Sequence, residues 1–127
     1  MVSKRKGNNI SGWIIIDKPA GITSTGVVSK IKRAFNAKKV GHAGTLDPDA
    51  TGVLPIALGE ATKTIPYIMD EIKSYHFCIK LGESTDTDDA TGQIINKSSK
   101  RPSDDKISTH LQKYIGFIEQ TPPNYSA

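Results

Sequence analysis

The sequence predicts an α+β protein, and two patterns carry that expectation. Strand-like runs of bulky residues alternate along the chain with segments whose apolar residues recur at helical spacing. Clusters of Gly, Pro, Asp, Asn and Thr separate them, as turns and loops require. With 127 residues the chain suffices for one domain.

The elements follow in order. Gly12 to Asp17 is a short β-type run, and Lys18-Pro19-Ala20-Gly21 reads as a turn, where Pro presets φ and Gly permits a positive one. A helix capped by Thr23 or Ser24 comes next, with Val27, Val28, Ile31, Ala34 and Phe35 as its apolar stripe. Its other face carries Lys30, Lys32 and Arg33, and Asn36-Ala37-Lys38-Lys39 ends the helix with more positive charge, favourable beside its C-terminal dipole. Val40-Gly41-His42 starts an extended segment, and Ala43 to Thr51 is a loop of small and turn-forming residues. Gly52 to Gly59 is an apolar strand that Pro55 assigns to an edge or a bulge. Glu60 to Asp70 reads as a helix interrupted or started at Pro66. In Ser74 to Leu81, Tyr75, Phe77, Ile79 and Leu81 alternate with polar residues, which predicts a half-buried strand. Glu83 to Gly92 is an acidic loop, followed by a short strand at Gln93 to Ile95. Ser103 caps a further helix with Ile107, Leu111, Tyr114 and Ile115 facing inward, and Phe117 to Glu119 is strand-like.

Composition narrows the class. Hydrophobic residues make up 36% of the chain, which predicts a modest core. The net charge of +4 has the sign that suits a polyanionic partner. The single cysteine, Cys78, cannot form an internal disulfide, in keeping with a reducing cytoplasm. No apolar run is long enough for a membrane span, so no membrane partner is expected. Residues 1–11 read as a basic, flexible tail, and 12–127 as the folded part. His42, His76 and His110 sit on separate segments without ligand spacing, so no metal is expected. The Asp86 to Gly92 segment faintly resembles a calcium loop, but Ala90 and Lys97 stand where ligands are required.

The most informative stretch is Gly41 to Gly52, with three glycines, one proline, two aspartates and a histidine. Asp47 precedes Pro48, which pushes its backbone toward extended conformations. A carboxylate on a stiffened loop is well placed for chemistry. Asp-Pro and Thr-Gly are also ordinary turn pairs, and their spacing alone does not separate the two readings.

The complete string does separate them. Gly41-His42-Ala43-Gly44-Thr45-Leu46-Asp47-Pro48-Asp49-Ala50-Thr51-Gly52-Val53-Leu54-Pro55, followed by Leu58-Gly59-Glu60-Ala61-Thr62-Lys63, closely resembles the signature of the bacterial TruB family of tRNA pseudouridine synthases. Trp13 to Gly21, with Asp17-Lys18-Pro19, resembles that family's opening motif. Ser74-Tyr75, the block Leu81 to Ile94 and the closing Pro123-Asn124-Tyr125-Ser126-Ala127 are similar to later motifs in the same order.

The resemblance implies a pseudouridine synthase fold: a mixed, largely antiparallel sheet with flanking helices, here incomplete. It implies isomerisation of the T-arm uridine at position 55 of tRNA to pseudouridine, in the cytoplasm, without a cofactor. By the same match Asp47 is the catalytic nucleophile, Tyr75 stacks on the target base and His42 supports the flipped nucleotide. Attack of Asp47 on the sugar, attack on the base, and assistance to the departure of uracil all stay open. Lys18 and Pro19 support the loop from behind, while Lys30, Arg33, Lys38, Lys39 and Lys63 are candidate phosphate contacts. The family's catalytic domain is about twice this length. Its later half supplies an arginine that pairs with the aspartate, and none of Arg5, Arg33 and Arg101 lies in a matching motif. The chain is therefore expected to be a fragment, lacking the C-terminal RNA-binding module and with little activity alone, of a protein that is itself a monomer. Two rival readings are a non-catalytic RNA-binding module built on the basic helix and a guide-RNA-dependent relative of the dyskerin group. Leu58 to Lys63 fits the stand-alone bacterial group, so no guide RNA is expected.

Overall fold

The computed structural model describes residues 7–124. The basic residues Lys4, Arg5 and Lys6 of the expected tail, and Tyr125, Ser126 and Ala127 of the closing motif, lie outside them. Of the tail's described part, Asn8 forms an isolated parallel bridge with Ala37. The chain divides into two compact units at Ser74 and Tyr75.

The first unit is built on a three-stranded sheet. Strand β1 (Gly12–Lys18) and strand β2 (Val40–His42) both run antiparallel to β3 (Gly52–Leu58), which lies between them. Helix α1 (Ser24–Ala34) links β1 to β2. Thr23 is the N-cap, its side chain accepting a hydrogen bond from Gly26 N at 2.9 Å. Lys32 and Arg33 occupy the last turn, where the helix dipole favours positive charge.

The pleat decides which residues reach the core. Ile14, Ile16 and Lys18 of β1 share a face with Leu54, Ile56 and Leu58 of β3, and Val27 and Ala37 pack against it. Ile56 is fully buried. The opposite face shows Ile15 and Val53 to solvent. The apolar stripe of α1 is shorter than its sequence pattern: Val27, Val28 and Ile31 meet the core, whereas Ala34 and Phe35 are exposed. The helix ends at Ala34, and the chain turns through Asn36 with φ 45°. That turn brings Ala37 into the core in place of Phe35.

Pro55 corrects a second expectation. It lies in the central strand, opposite Ile15, without interrupting the β1–β3 register. Its carbonyl accepts from Ala43 N at 2.9 Å, on the β2 side. A strand residue's N and C=O point the same way, so the donor that proline lacks faces this same neighbour. The β2 ladder ends one residue earlier, at His42 opposite Ile56. Pro55 thus ends the pairing at the point where the loop leaves the sheet.

A 3-10 helix (Gly59–Thr64) and α2 (Ile65–Met69), with Pro66 in its first turn, complete the unit. Gly59 has φ 56°, and a Cβ there would fall 2.2 Å from the Ile10 carbonyl, so only glycine fits this junction.

The second unit carries a two-stranded antiparallel sheet, β4 (Glu83–Thr85) with β5 (Ile94–Lys97), and helix α3 (Asp104–Leu111), followed by a 3-10 turn (Gln112–Tyr114). Part of the expected acidic loop is therefore strand. Three other expectations are corrected here. Residues 74–81 form no strand and are exposed. Leu111, Tyr114 and Ile115 are exposed rather than inward, with Ile107 half-buried. Residues 117–119 are not a strand, and Phe117 is fully exposed. An alternating pattern records a face suited to cover, and no described strand pairs with these residues.

Candidate active site

Between β2 and β3 the loop 43–51 leaves the sheet and returns to it. Its geometry is fixed from both sides of Asp47. On one side the Ser24 hydroxyl accepts from Leu46 N at 3.0 Å and donates to Leu46 O at 3.1 Å. On the other, the Lys18 ammonium donates to Pro48 O at 3.1 Å. The same ammonium donates to Pro19 O at 2.9 Å and Ile22 O at 2.7 Å. Gly21 N adds a second bond to Pro48 O at 2.8 Å. Both tethering side chains are buried, Lys18 at 0% and Ser24 at 3% exposure.

Lys18 is a buried cation with no carboxylate partner among the described residues. Its three N–H groups meet three carbonyls, which satisfies its full donor inventory. Burying an ammonium is costly unless every donor is matched, and here all are. Pro19 follows in the turn that supplies one of the acceptors.

The loop's other features follow from its composition. Ala50 N donates to Asp47 O at 3.1 Å, closing the Asp-Pro turn. Gly44 has φ 117°, a conformation that a side chain would strain. His42 Nδ1 hydrogen-bonds to the Gly44 carbonyl. A carbonyl only accepts, so Nδ1 is the donor in this bond.

Asp47 itself is exposed. Among the described residues its carboxylate accepts no hydrogen bond and joins no ion pair, and the same holds for Asp49. The backbone is therefore held while the acid group stays available.

The structure brings Lys18, Pro19, His42 and Asp47 into one unit. Tyr75 belongs to the second unit, where it is exposed. Lys30 and Arg33 lie exposed on α1, with Lys38 and Lys39 exposed beyond it. Lys63 pairs with Glu60, and its hydrogen bond and charge hold the Glu60 carboxyl below the usual range. Sequence reasoning weighed Ser24 only as a cap. Its bond to the loop left no signal, because the partner is main chain. Among the described residues no three His, Cys, Asp or Glu side chains gather as metal ligands, and no helix is long and apolar enough to cross a membrane.

The first unit is thus a small antiparallel sheet backed by a helix, with a carboxylate loop tied to the first strand's turn. A chain in the crystal structure of a Cbf5–Nop10–Gar1 complex is similar over 94% of this chain and 31% of its own, with 31% identity and a TM-score of 0.61. Residues 32–127 match the N-terminal domain of TruB family pseudouridylate synthases, and the chain belongs to that family. It is 60% identical over 127 residues to the tRNA pseudouridine synthase B of Roseobacter denitrificans, covering all of this chain and 42% of that protein. It is also 60% identical over 125 residues to the protein of the same name from Bartonella bacilliformis, covering 98% of this chain and 39% of that one. The chain thus spans about two fifths of the length of the curated relatives it matches.

Proposed function

We propose that this chain is the aspartate-bearing part of a cytoplasmic tRNA pseudouridine synthase that isomerises the T-arm uridine at position 55. The observation that carries this reading is the Asp47 carboxylate, exposed and without a partner among the described residues, on a backbone held at Leu46 and Pro48. The names of the relatives at 60% identity support the substrate class.

In this reaction the bond from ribose C1′ to uracil N1 breaks, the base turns, and C1′ bonds to C5. The C5 hydrogen leaves as a proton and N1 takes one up, so the product is an isomer and no redox group is consumed. Asp47 acts as nucleophile, on the sugar or on the base, dividing one difficult step into two easier ones. The uridine must first leave its stack, at a cost of a few kcal/mol. His42 supports the everted nucleotide, and Tyr75 offers it a ring face, worth about 1–3 kcal/mol. Lys18 and Pro19 hold the loop. Lys30, Arg33, Lys38, Lys39 and Lys63 are proposed to meet phosphates, which positions the RNA without reading its sequence.

The test uses the full-length protein, proposed to be a monomer acting without guide RNA, and tRNA tritiated at uracil C5. Tritium release from bare tRNA is expected, and Asp47→Asn is expected to abolish it while retaining tRNA affinity. Release that continues in Asp47→Asn would refute the nucleophile. Binding without release by the unaltered protein would indicate a non-catalytic RNA-binding module, and release only with added guide RNA would indicate a guide-dependent enzyme.

A further inference from the structure

We propose that Ser24 is a positioning residue for Asp47, its hydroxyl setting the orientation of the peptide that joins Leu46 to the nucleophile. This rests on the reading of Asp47 given above.

The Ser24 side chain is 3% exposed and makes both of its bonds to one residue, Leu46. The N–H of Leu46 donates to the hydroxyl oxygen at 3.0 Å, and the hydroxyl donates to the Leu46 carbonyl at 3.1 Å. That carbonyl belongs to the planar peptide whose nitrogen is the nitrogen of Asp47, so fixing it constrains the φ of Asp47. On the far side Pro48 has its own φ set by its ring, and its carbonyl is held by Lys18 and Gly21. Both backbone neighbours of Asp47 are therefore held by one short stretch of chain, 18–24.

Helix capping does not account for this hydroxyl. Thr23 performs that task with Gly26, and Ser24 is the first residue inside α1, where alanine is a good helix former. A buried hydroxyl that spends its donor and an acceptor on the residue preceding a nucleophile is suited to precise placement. Small misplacements of a reacting group cost large factors in rate.

The experiment compares full-length wild type with Ser24→Ala, Ser24→Thr and Asp47→Asn in single-turnover tritium release at saturating tRNA. Ser24→Ala is expected to slow release by about tenfold to a hundredfold, with tRNA affinity unchanged. Ser24→Thr restores the hydroxyl and is expected to recover most of the lost rate. A lowered melting temperature with wild-type release in Ser24→Ala would mean a merely structural role and would overturn the proposal. A folded Ser24→Thr as slow as Ser24→Ala would also overturn it. Should Ser24→Ala not fold, Ser24→Cys takes its place: the thiol fills the space but bonds weakly, so slow release supports the proposal and wild-type release refutes it. Loss of product in Asp47→Asn with undiminished Ser24 variants would refute the positioning role alone. Product from Asp47→Asn would instead remove the nucleophile on which it rests.

Discussion

Replacing Lys18 by methionine keeps the apolar stem and removes the ammonium. Three hydrogen bonds disappear, to Pro19 O, Ile22 O and Pro48 O. Pro48 O keeps its bond from Gly21 N and is not orphaned. Pro19 is exposed, so water can replace part of its loss, but Ile22 packs against the core. An orphaned buried acceptor costs about 1–3 kcal/mol, and hydrogen bonds from charged donors contribute about 1.5–3 kcal/mol each. Relief from burying the ammonium offsets part of this. The net destabilisation is about 2–4 kcal/mol. Urea unfolding followed by fluorescence of Trp13, the single tryptophan, reads the first unit directly. The midpoint is expected to fall by about 1–2 M urea. A shift corresponding to less than about 0.5 kcal/mol, the scale of an ordinary surface change, would show that the lysine is not what ties the turn to the loop. Lys18→Arg is expected to be harmful too, because a planar guanidinium cannot reproduce three convergent bonds in a site with 0% exposure.

Further outcomes follow from burial and from charge. Ile56→Ala removes a fully buried side chain and is expected to cost about 2–5 kcal/mol by urea titration. Val53→Ala, in the same strand but 70% exposed, is expected to stay within about 1 kcal/mol; equal costs would contradict the assigned sheet faces. The Asp89 carboxylate accepts from Thr91 Oγ1 at 2.6 Å and from Thr87 Oγ1 and Thr91 N at 2.8 Å. These bonds, the Thr91 hydroxyl first, hold its pKa below the ordinary 3.8. The contribution is therefore complete above pH 3.8 and fades as pH falls through the lower folded value. Carboxyl NMR should give a midpoint below 3.8, moving upward in Thr91→Ala; a midpoint at or above 3.8 in the unaltered chain would contradict these bonds.

Much of the first unit was legible because its signals are local. The bulky run before Lys18, the helical spacing of Val27, Val28 and Ile31, and the Gly-Asp-Pro loop each determine their own conformation over a few residues. The errors arose where a second segment decides. Pro55 argued for an edge, yet its missing donor costs little where the β2 ladder has already stopped. The alternation of Tyr75, Phe77, Ile79 and Leu81 and the stripe through Leu111 and Ile115 describe faces without naming a partner. At the proposed site, the loop's own residues did not separate a catalytic aspartate from an ordinary turn former, and the assignment of Asp47 over Asp49 rests on the family resemblance. Ser24 was hidden because its partner is main chain twenty-two positions away, and main chain leaves no residue-specific trace.

The two tethers also join the opening motif and the aspartate loop into one structural object. A glycine-containing loop loses conformational entropy when it is ordered, about 1–2 kcal/mol per residue. In the proposed reaction, ordering that took place only when RNA arrived would divert binding energy from everting the uridine. Here the loop is ordered in advance by groups of residues 18–24, which pack behind it: an ammonium, a hydroxyl and one backbone N–H. A hydrophobic tether would resist compression but not rotation of the peptide planes. Directional bonds to Leu46 and Pro48 resist both, and for that reason polar groups are placed in an otherwise apolar wall despite their desolvation cost.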